Sequence, residues 1–348
     1  MKQHWKTPLA AVSVSALLLL SACAKAPSVP VAPPATSIPE TTPAPTPEPT
    51  AEPAPAAPTP AAVTSDTVVS GTKQTVPDDA EGLFFVSGGA RLTLENCGFD
   101  QTDAAVASDG ALIAVADGHL TMERCTLSTS ASGVTAVSAE GPGSLTVRDT
   151  VLVLSGNDSR AFSVHDGVAA VLTNVALSLN GLRCTGVSAS AGSSVSLTGC
   201  TLESAENTGS FPLGCTGAEL ILEACSVMGN IHTAGDGNAV TLDRSEWSGS
   251  FFAESDESAT ELTLKNISVF TGSFREDSGD VSLTLDSTSR WILTEDSTVG
   301  ALSDEDATLS NITGNGFNLY YNSELEANAW LNGKTLALSG GGYLIPLI

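Results

Sequence analysis

The residues of this sequence that could do chemistry are mainly carboxylates. In the second half of the chain, acidic residues recur three to six positions before a repeated apolar motif. They are Asp236, Asp256, Glu257, Asp280, Asp304, Glu305 and Asp306. Carboxylates stacked about 5 Å apart repel one another, and a divalent cation with oxygen ligands, such as calcium, reverses the sign of that interaction. The spacing therefore predicts either a calcium site at one shared corner or a solvated acidic edge.

The histidines form no recognisable catalytic motif. His119, His165 and His232 fall at different positions of the repeat, so we expect them to lie apart and exposed. The sequence contains no HExxH motif and no CxxC motif. No nucleophile, base and acid can be assembled from these positions alone.

Four cysteines occupy one position of the repeat: Cys97, Cys125, Cys200 and Cys225. An inward-facing position of this kind suits a small apolar side chain, which predicts buried thiols. Disulfides between adjacent coils are the alternative. Parallel Cβ vectors make the geometry of such a bridge poor.

Catalysis on a polysaccharide requires either a basic residue beside a carboxylate cluster that holds calcium, or two or three carboxylates on one strand face. The body of the chain has its Lys and Arg residues at mixed positions of the repeat. Arg124 and Arg244 share a position, but they lie five coils apart. We therefore predict that the protein is not an enzyme. The alternative is a divergent polysaccharide lyase or glycoside hydrolase.

Aromatic residues concentrate in the second half of the chain. A GSF or GNI motif recurs at positions 209, 229, 249 and 272, which predicts one ladder of Phe211, Ile231, Phe251 and Phe274. A ladder that faces inward belongs to the core. An exposed aromatic row would instead be a platform on which sugar rings stack.

A repeated strand motif must position all these residues. It occurs ten times, and its third residue is always apolar: Leu94, Met122, Val147, Leu172, Leu197, Leu222, Leu242, Leu264, Leu285 and Leu309. Alternation with a period of two predicts strands, and a repeat of 20–28 residues predicts a solenoid. The fifth residue is often of a type that tolerates left-handed backbone: Asn96, Asp149, Asn174, Gly199, Asn266 and Asn311. Each copy therefore bends there between two strands.

Three short strands and three corners per repeat make one coil of a parallel β-helix. With asparagine at the tight bend, the pattern resembles the right-handed parallel β-helix proteins of the pectate-lyase-like superfamily. The resemblance covers residues 64–314 and implies an all-β solenoid of about ten coils. It implies little about activity, because this fold hosts lyases, hydrolases, adhesins and binding modules. Within this group, the chain resembles bacterial surface lipoproteins with non-catalytic β-helices. Residues 315–348 break the repeat and are predicted to cap the last coil.

The N-terminal residues predict export and lipidation. Lys2 and Lys6 precede an apolar run from Leu9 to Leu20, which is the layout of a signal peptide. The following Leu20-Ser21-Ala22-Cys23 resembles the bacterial lipobox, which implies that residues 1–22 are removed and that Cys23 carries the lipid. Residues 23–63 are rich in proline, alanine and threonine, and are predicted to form an extended tether.

The charge balance limits the partners of the body. The chain carries 39 Asp and Glu against 14 Lys and Arg, a formal charge of −25. This excludes nucleic acid, which requires a basic surface. The sequence therefore predicts a lipid-anchored protein of the bacterial cell envelope, facing away from the cytoplasm, whose β-helix binds or adheres to a ligand. The candidate partners are the membrane through the lipid and a cell-wall or extracellular polysaccharide.

Overall fold

In a computed structural model, the chain is described at residues 59–76, 82–102, 110–253, 259–274 and 281–347. The predicted signal peptide, Cys23 and most of the predicted tether lie outside these ranges. Nearly all the regular secondary structure of the described residues is β-strand. The strands are numbered β1 to β35 in chain order, and they form three long parallel sheets, A, B and C, and one short sheet, D.

Sheet A has nine parallel strands within the described residues. They are β1 (Ala61–Val63), β4 (Phe84–Val86), β7 (Ala111–Ala116), β10 (Thr135–Glu140), β13 (Arg160–Val164), β16 (Thr185–Ser190), β19 (Phe211–Thr216), β22 (Ile231–Ala234) and β25 (Phe251–Ala253). The first of them overlaps the last three residues of the predicted tether and pairs with β4.

Sheet B has eleven parallel strands. They are β2 (Thr67–Ser70), β5 (Arg91–Glu95), β8 (His119–Glu123), β11 (Ser144–Arg148), β14 (Ala169–Thr173), β17 (Ser194–Thr198), β20 (Glu219–Glu223), β23 (Asn238–Asp243), β26 (Thr260–Lys265), β28 (Val281–Leu285) and β31 (Ala301–Asp304). This sheet contains the predicted strand motif of the repeat.

Sheet C also has eleven parallel strands. They are β3 (Lys73–Thr75), β6 (Gly98–Gln101), β9 (Thr126–Thr129), β12 (Val151–Leu154), β15 (Ala176–Leu179), β18 (Thr201–Ser204), β21 (Ser226–Met228), β24 (Glu246–Ser248), β27 (Val269–Gly272), β29 (Arg290–Leu293) and β32 (Ile312–Thr313). Each of the first nine coils contributes one strand to each long sheet, and the last two contribute strands to sheets B and C. The strand order confirms the predicted parallel β-solenoid, with about eleven turns. The handedness of the winding stays a prediction.

Register along sheet B confirms nine of the ten predicted core positions. Leu197, for example, pairs with Leu172 on one side and Leu222 on the other, and all three are buried. The tenth position is wrong, because Leu285 pairs with Asp304 rather than with Leu309. Residues 307–314 match the apolar pattern locally, but β31 has already ended at Asp304. Leu309 lies in the following corner with a φ of 58°.

The predicted left-handed bends follow the strands of sheet B. Asn96, Asp149, Asn174, Gly199 and Asn266 all have positive φ, between 50° and 63°, whereas Asn311 does not share this conformation. Arg124, Ala224 and Arg244 adopt it at the same position of other coils. The bend is thus imposed by the stacking of the coils, even on residue types that do not favour it.

The core changes from aliphatic to aromatic along the solenoid. In the last coils Trp247, Phe270 and Trp291 stack on one another, with ring centroids 4.1 Å and 5.7 Å apart. Phe251 and Phe274 pack against them and are fully buried. The predicted ladder is therefore confirmed to face inward at Ile231, Phe251 and Phe274.

Sheet D and one short helix lie at the end of the solenoid, and all of their residues except β30 follow β32. Sheet D contains β30 (Ser297–Val299), β33 (Leu319–Asn322), β34 (Leu336–Ala337) and β35 (Tyr343–Leu347), and the 3₁₀ helix spans Glu326–Leu331. The Asn328 side chain accepts a hydrogen bond from Leu302 N and donates one to Gly300 O, and Trp330 Nε1 donates to Leu302 O. These side chains take up backbone groups of β31, the outermost strand of sheet B, as protection of an open edge requires.

Candidate functional site

The wall of the solenoid steps inward at the corner between sheets C and A. Three successive connections, residues 130–134, 155–159 and 180–184, have five residues each, and the next, 205–210, has six. The following two, 229–230 and 249–250, have only two residues each. This contraction accounts for the shorter spacing of the sequence repeat after residue 220. The long connection consequently overhangs the two short ones.

An open groove of about 580 Å³ lies at this step, and we call it the step groove. Its lining comprises residues 204–210, Met228, Gly229, Asn230, Ser248 and Gly249. Hydroxyl and amide groups dominate this lining. Met228 adds an apolar surface and is 55% exposed. The groove therefore offers mainly hydrogen-bonding groups, with an apolar surface supplied by Met228.

The floor of the step groove is built from glycine. A Cβ atom on Gly229 would lie 2.1 Å from Ser204 Oγ, and one on Gly249 would lie 2.0 Å from Gly229 O. Both glycines have positive φ, at 125° and 153°. Only glycine allows the short corners to stack this closely, which leaves backbone exposed at the bottom of the groove.

Hydrogen bonds hold the wall of the step groove in place. Thr208 Oγ1 donates to Ala205 O at 2.8 Å, and Arg183 N donates to Thr208 O at 3.0 Å. On the opposite side, Asn230 Oδ1 accepts from Ser250 N at 2.9 Å, which fixes the orientation of its amide group. The groove is thus preformed.

Three aromatic side chains lie next to the step groove on the outer face of sheet A. The Phe211 ring centroid is 5.0 Å from that of His232 and 5.9 Å from that of Phe252. All three are half-buried, and we call them the outer aromatic cluster. Phe211 directly follows the groove residue Ser210, and the cluster spans the same three coils as the groove.

The position of Phe211 corrects the sequence prediction. Ile231 pairs with Leu213, not with Phe211, so the predicted inward ladder fails at its first member. The strand β19 begins two residues earlier than β22 in the register of the sheet, which a local motif cannot show. Phe211 is half-buried, and its ring contacts those of His232 and Phe252, so it lies with the outward side chains, where an aromatic platform was the alternative.

The outer face of sheet A also brings a serine and a histidine together. Ser163 Oγ lies 2.6 Å from His165 Nε2, and Ser190 Oγ lies 2.6 Å from His165 Nδ1. This is the order of a nucleophile, a base and an orienting group. The backbone of β13 is paired with β10 and β16 on its two sides, so it offers no N–H groups for an oxyanion. We interpret the three side chains as a surface hydrogen-bond network.

The structure separates the carboxylates that were predicted to share one corner. Asp236 precedes β23 at the corner between sheets A and B, where its Oδ1 accepts from Ala259 N at 3.3 Å. Asp304 ends β31, so Glu305 and Asp306 lie at the corner between sheets B and C. The prediction of a common corner is therefore wrong for Asp304, Glu305 and Asp306, because the tenth repeat was assigned out of register.

The remaining members of that set, Asp256, Glu257 and Asp280, lie outside the described residues. Among the residues that are described, no group of three or more His, Cys, Asp or Glu side chains is arranged to hold a metal ion. Calcium binding stays a prediction that depends on the undescribed positions.

The acidic residues of the B–C corner serve local structure. Asp306 accepts hydrogen bonds from the backbone and hydroxyl groups of Thr308 and Ser310, which hold the pKa of its carboxyl well below its usual range. Asp304 occupies an inward position that Leu285 fills one coil earlier, and burial raises its pKa. Within the described structure, Asp304 Oδ2 and Asn311 Oδ1 are buried without a hydrogen-bond partner.

All six cysteines in the described ranges are buried and unpaired: Cys97, Cys125, Cys184, Cys200, Cys215 and Cys225. This agrees with the prediction of buried thiols. Burial raises the pKa of Cys125 and Cys184, and raises that of Cys215 to about 11, so these thiols stay protonated. They are structural groups rather than nucleophiles.

Most basic residues of the central coils form ion pairs in the described structure. Arg124 and Arg148 both contact Glu123, at 3.4 Å and 3.7 Å. Arg244 contacts Glu223 and Asp243, and Lys265 lies 3.7 Å from Asp243. Arg183, beside the step groove, forms two hydrogen bonds with Asp158. These pairs neutralise cations that could otherwise attract an anionic ligand.

No protein-family model, curated protein or solved structure matches this chain. In the part of the chain that is described, no helix has the length and apolar character needed to cross a membrane. The fold and the site define a parallel β-solenoid with a preformed polar groove, flanked by aromatic side chains, at a step in its wall.

Proposed function

We propose that this protein is a lipoprotein of the bacterial cell surface whose β-solenoid binds a polysaccharide without catalysing its cleavage. The observation that carries the proposal is the step groove with the outer aromatic cluster beside it. Sugar rings have polar edges and apolar faces. A surface with hydroxyl and amide groups on one side and half-buried aromatic rings on the other matches both.

The repetition of the solenoid favours a polymer over a single sugar. The groove and the cluster both extend over three consecutive coils, and successive coils are spaced by about 4.8 Å. The contact surface is therefore at least about 10 Å long, and it is open to solvent rather than closed around one ring. A segment of a longer chain can lie along it.

The absence of catalysis is supported by the use of the polar residues. In the described coils, Arg183 beside the step groove is paired with Asp158. The Ser163–His165 pair lies on a sheet face whose backbone is occupied by strand pairing. The resemblance to non-catalytic β-helix lipoproteins favours the same conclusion. The alternative remains a divergent polysaccharide lyase or glycoside hydrolase on this fold.

The proposal places the protein outside the cytoplasm through its N-terminal sequence. The export signal at residues 1–22 and the lipobox-like Cys23 support attachment to a membrane by acyl chains. The proline-rich residues that follow support a tether that carries the solenoid away from the lipid. The partners are thus the membrane and a polysaccharide of the cell wall or of the surroundings.

Co-sedimentation of the detergent-solubilised full chain with a panel of insoluble polysaccharides tests the proposal. We expect binding to at least one of them, and we expect Phe211→Ala and Phe252→Ala each to weaken it by about two- to tenfold through loss of stacking. Phe85→Ala is the matched control, because Phe85 is an exposed phenylalanine in the same outward row of sheet A at its other end.

Three results would contradict the proposal. Binding to no polysaccharide would remove the function itself, and equal weakening by Phe85→Ala would remove the site. Release of reducing ends or of unsaturated sugars from a bound polysaccharide would favour the enzymatic alternative.

A further inference from the structure

Two carboxylates flank the step groove without a cation to neutralise them. Glu206 belongs to the connection that forms the wall of the groove, and it is exposed. Glu203 lies on the outer face of sheet C and pairs in register with Met228, which lines the groove. Neither forms an ion pair with any residue that the structure describes.

The arginine that packs against the groove wall is already engaged in an ion pair. Gly209 of the groove wall packs toward Arg183, whose guanidinium group donates to both carboxylate oxygens of Asp158, at 2.7 Å and 2.6 Å. A bidentate pair of this kind holds its arginine in place. The groove therefore presents negative charge within a body whose net charge is also strongly negative.

The outer aromatic cluster adds a second attraction for positive charge. The faces of phenylalanine rings carry negative electrostatic potential and attract ammonium groups. Phe211 and Phe252 are half-buried on the outer face, within three coils of Glu203 and Glu206. Carboxylates on the sheet C side and the wall of the groove, with aromatic rings on its sheet A side, are chemical features that recognise an amine.

We propose, building on the proposed function, that the polysaccharide bound in the step groove is an amino-sugar polymer with free, protonated amino groups. Its ammonium groups contact Glu203 and Glu206, and its ring faces stack on Phe211 and Phe252. Hydroxyl and amide groups of the groove, such as those of Thr208 and Asn230, take the sugar hydroxyls. Anionic polysaccharides are repelled by the same carboxylates.

Oligomers of glucosamine with free amines, compared with the same oligomers after complete N-acetylation, test this inference. The detergent-solubilised full chain is titrated with each by calorimetry, at a pH where the free amines are protonated. We expect the free-amine oligomers to bind at least about tenfold more tightly, with an affinity that falls as sodium chloride is raised, because salt screens the exposed charges. A uronic acid oligomer should not bind.

Glu203→Gln and Glu206→Gln should each weaken binding of the free-amine oligomers by roughly two- to fivefold and reduce its salt dependence. Both substitutions keep side-chain size at exposed positions, so folding should be unchanged by circular dichroism. Glu140→Gln is the matched control, because Glu140 is an exposed carboxylate on the outer face of sheet A, three strands before Phe211.

The outcomes separate this inference from the function on which it rests. Equal affinity for free-amine and N-acetylated oligomers, with no effect of Glu206→Gln, would overturn the amine preference while polysaccharide binding stands. Equal loss in Glu140→Gln would also overturn it, because binding would then be diffuse attraction to an acidic body. Binding to no polysaccharide of the earlier panel would remove both.

Discussion

At the scale of single residues, the corner after each strand of sheet B shows what one side chain contributes. The sequence predicted that this position suits a small apolar side chain, and in several coils the structure also shows a hydroxyl group there that accepts a hydrogen bond. Cys225 N donates to Ser245 Oγ of the next coil at 3.0 Å, Ser245 N donates to Ser268 Oγ, and Ser268 N donates to Ser289 Oγ. These side chains take up buried backbone N–H groups that the left-handed bend withdraws from the ladder.

Replacement of one of these corner serines should therefore lower the free energy of unfolding by more than the loss of its few atoms would suggest. Ser245 is fully buried, and Ser245→Ala leaves the N–H of Cys225 without its acceptor, which should lower the free energy of unfolding by about 1–3 kcal/mol. Ser245→Thr keeps the hydroxyl group and should retain more stability. The measurement is denaturant unfolding followed by circular dichroism.

The control for this prediction is Ser226→Ala, because Ser226 is exposed on the outer face of sheet C. If both alanine variants unfold at the same denaturant concentration, the corner hydroxyl carries no stability. In that case the position would be a matter of size alone, as the sequence suggested.

At the scale of strands and coils, the repeat was predictable and its irregularities were not. Period-two alternation and a constant third residue determined which face of sheet B points inward, because stacking coils requires equivalent residues to face alike. Residues 307–314 were wrongly predicted to be a strand of sheet B, because the same apolar pattern also occurs in a corner that places Leu309 in the core. The register of Phe211 depends on where β19 begins relative to β22, which is a non-local property.

The step groove illustrates the same limit. The sequence contained a signal for it, because the repeat spacing falls from 25 to 20 residues after position 220. The spacing alone does not show which of the three corners loses the residues. Only the strand bounds show that the connection between sheets C and A contracts from six residues to two, next to Phe211.

Two single substitutions, compared with each other, test the register of sheet B in the middle of the solenoid. Leu197 is 1% exposed, so Leu197→Asp buries a charge without a partner and should cost several kcal/mol. The adjacent Ser196 faces outward between Val171 and Ile221 of the neighbouring strands, so Ser196→Asp should change stability by much less. Thermal unfolding of both variants gives the comparison.

The register of sheet B requires Leu197→Asp to lose more stability than Ser196→Asp. A larger loss for Ser196→Asp than for Leu197→Asp would mean that the faces of sheet B are reversed. Both variants should also leave far-ultraviolet circular dichroism dominated by β-structure if the coils away from β17 remain folded.

At the scale of the whole molecule, the position of the site fits a protein attached by its N-terminus. The described solenoid begins at β1, and the outer aromatic cluster lies on β19, β22 and β25, the last three strands of sheet A. Six strand spacings separate β1 from β19, a distance of roughly 29 Å along the sheet. The binding surface is thus far from the end at which the predicted tether enters.

The distance between the tether end and the binding surface matters for the protein only if its N-terminus is held at a membrane. Cys23→Ser tests that attachment directly. Two or more acyl chains anchor a protein stably, whereas a free chain with no other attachment is released. We expect labelled fatty acid to enter the wild-type chain and not the variant, and we expect the variant in the soluble fraction after cell fractionation. Its affinity for polysaccharide should be unchanged, because the step groove lies in coils that Cys23 does not belong to. Retention of both chains in the membrane fraction, with equal labelling, would contradict the lipid anchor and leave the export signal as the only support for an extracytoplasmic location.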